Sequence, residues 1–199
     1  MASNGRFIVL EGIDGCGKTT IAKLLAAKLR KAGKKVIVTG EPTNGPIGKK
    51  IHDILRGTLP MPQPVDFQKL YIADRLEHTK RIIKPALAKG MIVICQRYAL
   101  STFAYGTAFG VSQTALQHIF IKPDMTFLLD LSGKEAMKRI TKRGNEQEYF
   151  EKQQRLEKIR ATYQKLASWR KLGKILILDA RETPLVLITQ IDEMLSPKR

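Results

Sequence analysis

The sequence predicts a doubly wound α/β fold, a five-stranded parallel sheet with helices on both faces, from three observations. Short, continuous apolar runs alternate with longer segments of helical period, the pattern of a parallel sheet covered on both sides. A glycine-rich segment, Gly12-Ile13-Asp14-Gly15-Cys16-Gly17-Lys18-Thr19, follows the first run and opens the first helical segment, as a phosphate-binding loop must. No apolar run approaches the roughly 18 residues that a membrane helix requires.

Phe7–Glu11 reads as the first strand, bounded by Gly12. Lys18–Ala32 is a helix because Ile21, Leu24, Leu25 and Leu29 recur at helical spacing, and Gly33 stops it. Val36–Thr39 is the second strand, and Gly40–Pro46 has the composition of a loop. Ile47–Leu55 is a short helix that Pro60–Pro64 ends. Asp66 takes the N-cap of a long helix reaching Lys89. Pro85 lies inside that span and has no N–H to give, which predicts a kink or break near Lys84. Met91–Cys95, Met125–Leu131 and Ile175–Asp179 supply the remaining strands. Helical patterns cover Gly133–Lys142, Tyr149–Leu172 and Leu185–Leu195. Folds of this class bind ligands at the carboxyl ends of their strands, so each strand end is a place to look for chemistry.

The length, 199 residues, fits one domain over residues 1–199. The two cysteines, Cys16 and Cys95, are too few and too far apart for a disulfide framework or a zinc site. Polar Met1–Arg6 leads into an apolar run too short for a signal peptide. The expectation is a reduced, cytoplasmic protein with no membrane segment. The one extreme is charge: 35 Lys and Arg against 18 Asp and Glu, a net +17. The excess is +7, +3 and +7 over residues 1–60, 61–130 and 131–199, spread rather than gathered into a basic arm. A polyanionic partner follows from this, large or small, and a nucleic-acid reading rests on charge alone.

The glycine-rich loop is more specific. It fits G-x-x-x-x-G-K-[ST], in which backbone N–H groups cradle phosphate oxygens and the following helix adds its positive end. Lys18 would neutralise the β- and γ-phosphates of a nucleotide, and the Thr19 hydroxyl would bind Mg²⁺. Cys16 reads as a small filler rather than a nucleophile, since no histidine stands near it in sequence. The N-K-x-D motif of GTPases is absent, and motors and helicases are far longer. A nucleoside or nucleotide kinase fits best.

Further motifs follow in order. Phe7–Thr20 resembles F-x-x-x-E-G-x-D-G-x-G-K-[ST]-T, and Thr39–Gly48 resembles T-x-E-P-x-x-x-x-[IL]-G. Leu70–Glu77 resembles [LF]-[FL]-x-A-[DN]-R, Arg97–Tyr105 resembles D-R-[YH]-x-x-S-x-x-A-[YF], and Pro123–Ile140 resembles P-D-L-T-x-x-L-D-[VL]-x-x-x-x-A-x-x-R. In this series the chain resembles the thymidylate kinase (dTMP kinase) family over nearly its whole length.

That resemblance implies a P-loop kinase that transfers the γ-phosphoryl group of ATP to dTMP, giving dTDP and ADP, with Mg²⁺ at Thr19. It implies that Gly12, Gly15, Cys16, Gly17, Lys18, Thr19 and Thr20 surround the phosphates of ATP. Arg97 is placed at the acceptor phosphate, bridging towards the donor. Arg75 is matched to the arginine that hydrogen-bonds the thymine ring, and Tyr71, one turn earlier on the same helical face, to the aromatic that stacks on it. Asp14, Glu41 and Pro42 correspond to positions near the substrate, and Ser101 and Tyr105 to the deoxyribose side. Residues from about 138 to 152 correspond to a lid, in which Arg143, with Arg139 second, would close over ATP and help exclude water. Ala180 and Arg181 correspond to the loop beside the adenine. Family members are commonly homodimers that pack helices near residues 50–85 and 99–121.

Two departures stand out. Gln96 occupies the place of the aspartate before the arginine of D-R-Y, and a neutral amide neither balances Arg97 nor holds Mg²⁺ waters as a carboxylate does. By analogy with losing one transition-state contact, this predicts a cost of about 10²–10³ in rate unless Glu11 or Asp14 substitutes. The lid motif E-R-[YF]-E stands as Glu148-Tyr149-Phe150-Glu151, with one cation missing. The alternatives are therefore another acceptor, such as dUMP, or a nucleotide-binding protein with weak catalysis.

Overall fold

A computed structural model describes residues 5–117, 120–144, 148–169 and 172–195. Residues 145–147 of the expected lid, 118 and 119 of the expected dimer helices, and 170 and 171 of the expected last-but-one helix lie outside the described residues.

Five strands form one parallel sheet: β1 (Arg6–Glu11), β2 (Val36–Gly40), β3 (Ile92–Gln96), β4 (Met125–Asp130) and β5 (Ile175–Asp179). Their order is β2-β3-β1-β4-β5. β1 is central, with Phe7 opposite Val93 of β3 and Ile8 opposite Met125 of β4. Phe7, Ile8, Val9 and Leu10 are all buried because helices cover both faces. The sheet changes direction of growth at β1, which opens a crevice beyond the carboxyl ends of β1 and β3. The apolar residues buried by the sheet and its helices form one cluster.

The helices are α1 (Lys18–Lys31), α2 (Pro46–Arg56), α3 (Pro64–His78), α4 (Lys84–Ala88), α5 (Ala99–Ala108), α6 (Gly133–Arg143), α7 (Gln153–Leu166) and α8 (Pro184–Leu195). The expected N-cap at Asp66 is displaced. Pro64 starts α3 after Gln63, because its ring pre-sets the helical φ at the first position. Asp66 lies in the first turn instead, where its charge suits the positive end of the helix. The irregularity expected near Lys84 is present without a full break: α3 ends at His78 and α4 begins at Lys84. The chain widens into a π-helical turn over Thr79–Ile83, which carries it through to α4. Among the described residues of the span expected as one helix over Tyr149–Leu172, the α-helix runs from Gln153 to Leu166. The first residues of the span are drawn into other bonds, with Tyr149 N donating to Leu55 O of α2 at 3.0 Å.

Gly48 shows how closely α2 approaches the loop after β2. A Cβ there would lie 2.0 Å from the Thr43 carbonyl oxygen, so no larger residue fits. The loop is pinned from the other side by Asp74, which accepts from Thr43 N at 2.8 Å and from Thr43 Oγ1 at 2.5 Å.

Candidate active site

The phosphate loop joins β1 to α1. Gly17 sits at φ 101, a conformation that side-chain-bearing residues rarely adopt. No side chain caps α1, so its first N–H groups remain for an anion. Lys18 is buried and curls back over the loop, donating to Gly12 O at 3.0 Å and Ile13 O at 2.8 Å. Burial, and then Arg97, lower its pKa. Cys16 Sγ is buried beside the lysine, 3.7 Å from Nζ, and acts as packing. Thr19 Oγ1 donates to Gln96 Oε1 at 2.7 Å.

Arg97 is the centre of the site. It follows β3 in the left-handed region, at φ 63, the one described residue other than glycine to do so. Such strain persists only where the surroundings over-determine it. Here Arg97 N donates to Leu10 O at 2.9 Å, and the Cys95 thiol donates to Arg97 O at 3.1 Å. The guanidinium is thereby aimed across the crevice. It donates to Asp14 Oδ1 at 2.6 Å and Gly12 O at 3.1 Å, and lies 5.1 Å from the centre of the Tyr105 ring. Burial disfavours charge on both Arg97 and Asp14, but each stabilises the other. The arginine is held well above its usual value, and the Asp14 carboxyl, with Lys18 also near, at about 2.

Beneath this pair lies Glu11, fully buried at the end of β1. It accepts from Tyr98 N at 2.8 Å, Ser101 N at 3.1 Å, Ser101 Oγ at 2.5 Å and Tyr163 OH at 3.0 Å. Glu11 thus caps α5 from another element. Burial raises its pKa. With all these bonds made it is not free to replace the carboxylate missing at position 96. The counter-charge to Arg97 comes from Asp14.

Glu41 and Pro42 form the wall after β2. Glu41 is buried and accepts from Arg75 Nε at 2.8 Å, with Arg75 Nη2 at 2.7 Å and His78 Nδ1 at 3.1 Å. His78 Nε2 meets Thr39 Oγ1 at 2.7 Å. Glu41, His78 and Cys95 place ligand atoms within 4.8 Å of one another. The Glu41 oxygens are already taken by Arg75 and His78, so the set fits an ion-pair network rather than a metal. Arg75 is 1% exposed and lies behind the wall, outside the lining. Tyr71 does face the cleft, packed edge-on to Phe67 with ring centres 5.2 Å apart.

The lid side brings in α6 and the residues before α7. Arg139 Nη2 donates to Ala180 O at 2.9 Å, and Arg143 pairs with buried Glu151 at 2.6 Å. Arg181 pairs with Asp179 at 2.6 Å and does not line the cleft, whereas Ala180 does. Phe150 packs edge-on to Tyr105 at 5.0 Å, which closes one end. Glu148 also lines the cleft, and burial, then Asp14 and Glu151, raise its pKa.

The cleft has a volume of about 1190 Å³. A single small-molecule site is typically about 300–1,000 Å³, so this one suits two ligands. Asp14, Gly15, Cys16, Gly17, Lys18, Thr19, Thr20, Glu41, Pro42, Tyr71, Gln96, Arg97, Ser101, Tyr105, Arg139, Arg143 and Ala180 all line it. Gly12 is buried under the loop and contributes its carbonyl. Sequence reasoning missed Gln68, Thr102 and His78, which line the cleft, and Tyr163 below it. Gln68 stands three residues before Tyr71 on one helical face, a signal that could have found it.

The family model described as thymidylate kinase matches residues 10–191. The chain is 42% identical over 170 residues to the probable thymidylate kinase of Pyrococcus abyssi, covering 82% of this chain and 83% of that protein. It is 40% identical over 172 residues to the thymidylate kinase of Desulfotalea psychrophila, covering 84% and 85%. Against the thymidylate kinase of Xanthomonas campestris pv. campestris (strain B100) the figures are 41% over 167 residues, 82% and 72%.

Proposed function

Because the chain belongs to the thymidylate kinase family, we propose that its cleft transfers the γ-phosphoryl group of ATP to the 5′-phosphate of dTMP, giving ADP and dTDP. The observation that carries this reading is Arg97. Its strained backbone sets one guanidinium between the phosphate loop, at Gly12 O and Asp14, and the Tyr105 ring of α5. A group bridging donor and acceptor phosphates has to stand there.

Phosphoryl transfer is chiefly positioning and neutralisation of charge. The loop N–H groups and the start of α1 would hold the donor phosphates, with Lys18 exchanging its two carbonyl partners for phosphate oxygens. The acceptor oxygen belongs to a phosphate monoester, whose second pKa is about 6, so it arrives ionised and needs no general base. Asp14, with its low pKa, therefore orients Arg97 rather than taking a proton. Tyr71 and Tyr105 would flank the base and sugar. Arg143 and Arg139, with the residues from about 138 to 152, would close over ATP.

Thr19 and Gln96 fit Mg²⁺. The Thr19 hydroxyl hydrogen points at Gln96 Oε1, leaving the hydroxyl lone pairs for a cation. A magnesium ion there would neutralise charge between the β- and γ-phosphates.

The same reading includes a homodimer, for which exposed Leu76 and Ile82, 53% and 45% accessible, offer apolar surface within the segment expected at the interface. It includes a single domain and a cytoplasmic setting, in keeping with free, buried Cys16 and Cys95. No described helix is long and apolar enough to cross a membrane.

The test is ADP release with dTMP, dUMP and dCMP as acceptors, for the wild type and Gln96→Asp. Fastest release with dTMP supports the reading. No release from either protein with any acceptor overturns it.

A further inference from the structure

Of the cations behind the net charge of +17, the cleft uses few, and a group of the others lies at the opposite end of the sheet. The five strands run parallel, so their amino ends share one face, away from the cleft. A basic residue stands at each: Lys34 and Lys35 before β2, Lys89 before β3, Arg6 at the start of β1, Lys122 before β4 and Lys174 before β5. All of these are exposed. Val36 and Arg6 lie opposite Ile92 from its two sides, so the starts of those three strands are level. The last turn of α1 ends at the same face and adds Lys28, Arg30 and Lys31.

The ordinary reasons for a surface cation do not cover this row. The negative end of a helix favours cations, which accounts for Lys28, Arg30 and Lys31. Lys34, Lys35, Lys122 and Lys174 lie in connections instead. No described acidic side chain pairs with these four or with Lys89. Of the acids at this end, Asp124 accepts from Phe7 N at 2.6 Å and Asp192 pairs with Lys28 at 2.7 Å. Nor does the row serve the cleft. β1, six residues long, spans about 17–20 Å, twice the screening length of about 8 Å at physiological salt. Cations gathered here act on something that docks here.

We propose that this face binds the phosphate backbone of a nucleic-acid duplex, without reading its sequence. Neighbouring strands are about 4.8 Å apart, so cations at five strand starts are strung over about 19 Å. One strand of a duplex carries a phosphate roughly every 3.4 Å along the axis, and the row spans about five of them. A duplex fits better than a single strand, because no described aromatic ring is exposed and unpaired bases need rings to stack on. The face presents strand ends and turns, not the helix or ribbon that enters a major groove, so contact stays with the backbone. The proposal stands apart from the kinase reading, since the two sites lie at opposite ends of the sheet.

The test is fluorescence anisotropy of a labelled DNA duplex of about 20 base pairs and mixed sequence. Wild type is compared with Lys34→Glu/Lys174→Glu and with Lys49→Glu/Lys134→Glu. The second pair makes the same change of charge in the first turns of α2 and α6, at the cleft end. Wild type is expected to bind with a Kd of about 10⁻⁵ M at about 0.15 M salt, with log K falling against log salt at a slope of about −4.5. Lys34→Glu/Lys174→Glu is expected to weaken binding by about tenfold or more and to make the slope shallower by about 2. Lys49→Glu/Lys134→Glu is expected to change the affinity by less than about threefold. Circular dichroism checks that both variants fold, and the wild-type slope is informative whether they do or not. No binding by wild type at about 50 mM salt overturns the proposal. So does an equal loss in both variants, which marks diffuse net charge, or displacement by saturating ATP and dTMP, which would put the duplex in the cleft. Tighter binding to the single strand or to phosphatidylserine vesicles assigns the face to another partner and overturns it as well.

Discussion

Thr19 donates its hydroxyl hydrogen to Gln96 Oε1 across 2.7 Å, tying the start of α1 to the end of β3. An aspartate at 96 would accept the same hydrogen and add a negative charge beside the proposed cation site, where Mg²⁺ favours carboxylate oxygen. Gln96→Asp is therefore expected to lower the Mg²⁺ concentration for half-maximal ADP release by about tenfold. A Mg²⁺ titration of the two proteins checks this. An unchanged half-maximal concentration would show that residue 96 does not act through the metal.

Arg97→Lys keeps the charge but loses the planar fork that reaches Gly12 O and Asp14 together. The expected outcome is a fall in kcat of about 10²-fold, with the circular dichroism spectrum unchanged. Steady-state kinetics decide it, and a loss under about threefold would place the bridging role elsewhere.

Asp14 sets a pH dependence. Its carboxyl lies at about 2 in the fold against an ordinary 3.8, so the unfolded chain takes up the proton more readily. The Arg97–Asp14 pair therefore stabilises the fold fully above the ordinary value and loses that contribution as pH falls from about 4 to about 2. In Asp14→Asn the stability is expected to fall less steeply over that window. Thermal melts from about pH 6 down to about pH 2 measure the difference, and parallel curves would contradict it.

Glu11 is a structural carboxylate. Glu11→Ala strands Tyr98 N in a sealed interior and takes away the carboxylate shared by Ser101 N, Ser101 Oγ and Tyr163 OH. The expected cost is about 3 kcal/mol in urea unfolding. A cost below about 1 kcal/mol would mean that water replaces the carboxylate.

The legible parts of this molecule are those set by neighbours in sequence. The run from Gly12 to Thr19 states its own geometry, because glycine, lysine and threonine at those offsets serve one loop. The central strands show as apolar runs because both faces of the sheet are covered there. Contacts across the chain are not written locally. Glu11 and Tyr163 meet across 152 positions, and no spacing marks either for the other. The partner of Arg97 is half legible: the motif points to position 96 and leaves Glu11 or Asp14 as substitutes, and folding supplies Asp14 from the phosphate loop. Asp66 misled as a cap because Pro64 had already set the helical φ two residues earlier. Pro85 signals a kink or break near Lys84, and the α-helix is indeed interrupted there, but by a π turn that carries the chain on rather than a break.

The central claim is that one cleft joins ATP and dTMP through Arg97. Its most direct test follows ADP and dTDP together, by chromatography, from ATP and dTMP with wild-type protein and Mg²⁺. The account predicts equal amounts of the two products, with neither formed when dTMP is omitted. ADP formed without dTDP, or at the same rate in the absence of dTMP, would contradict it.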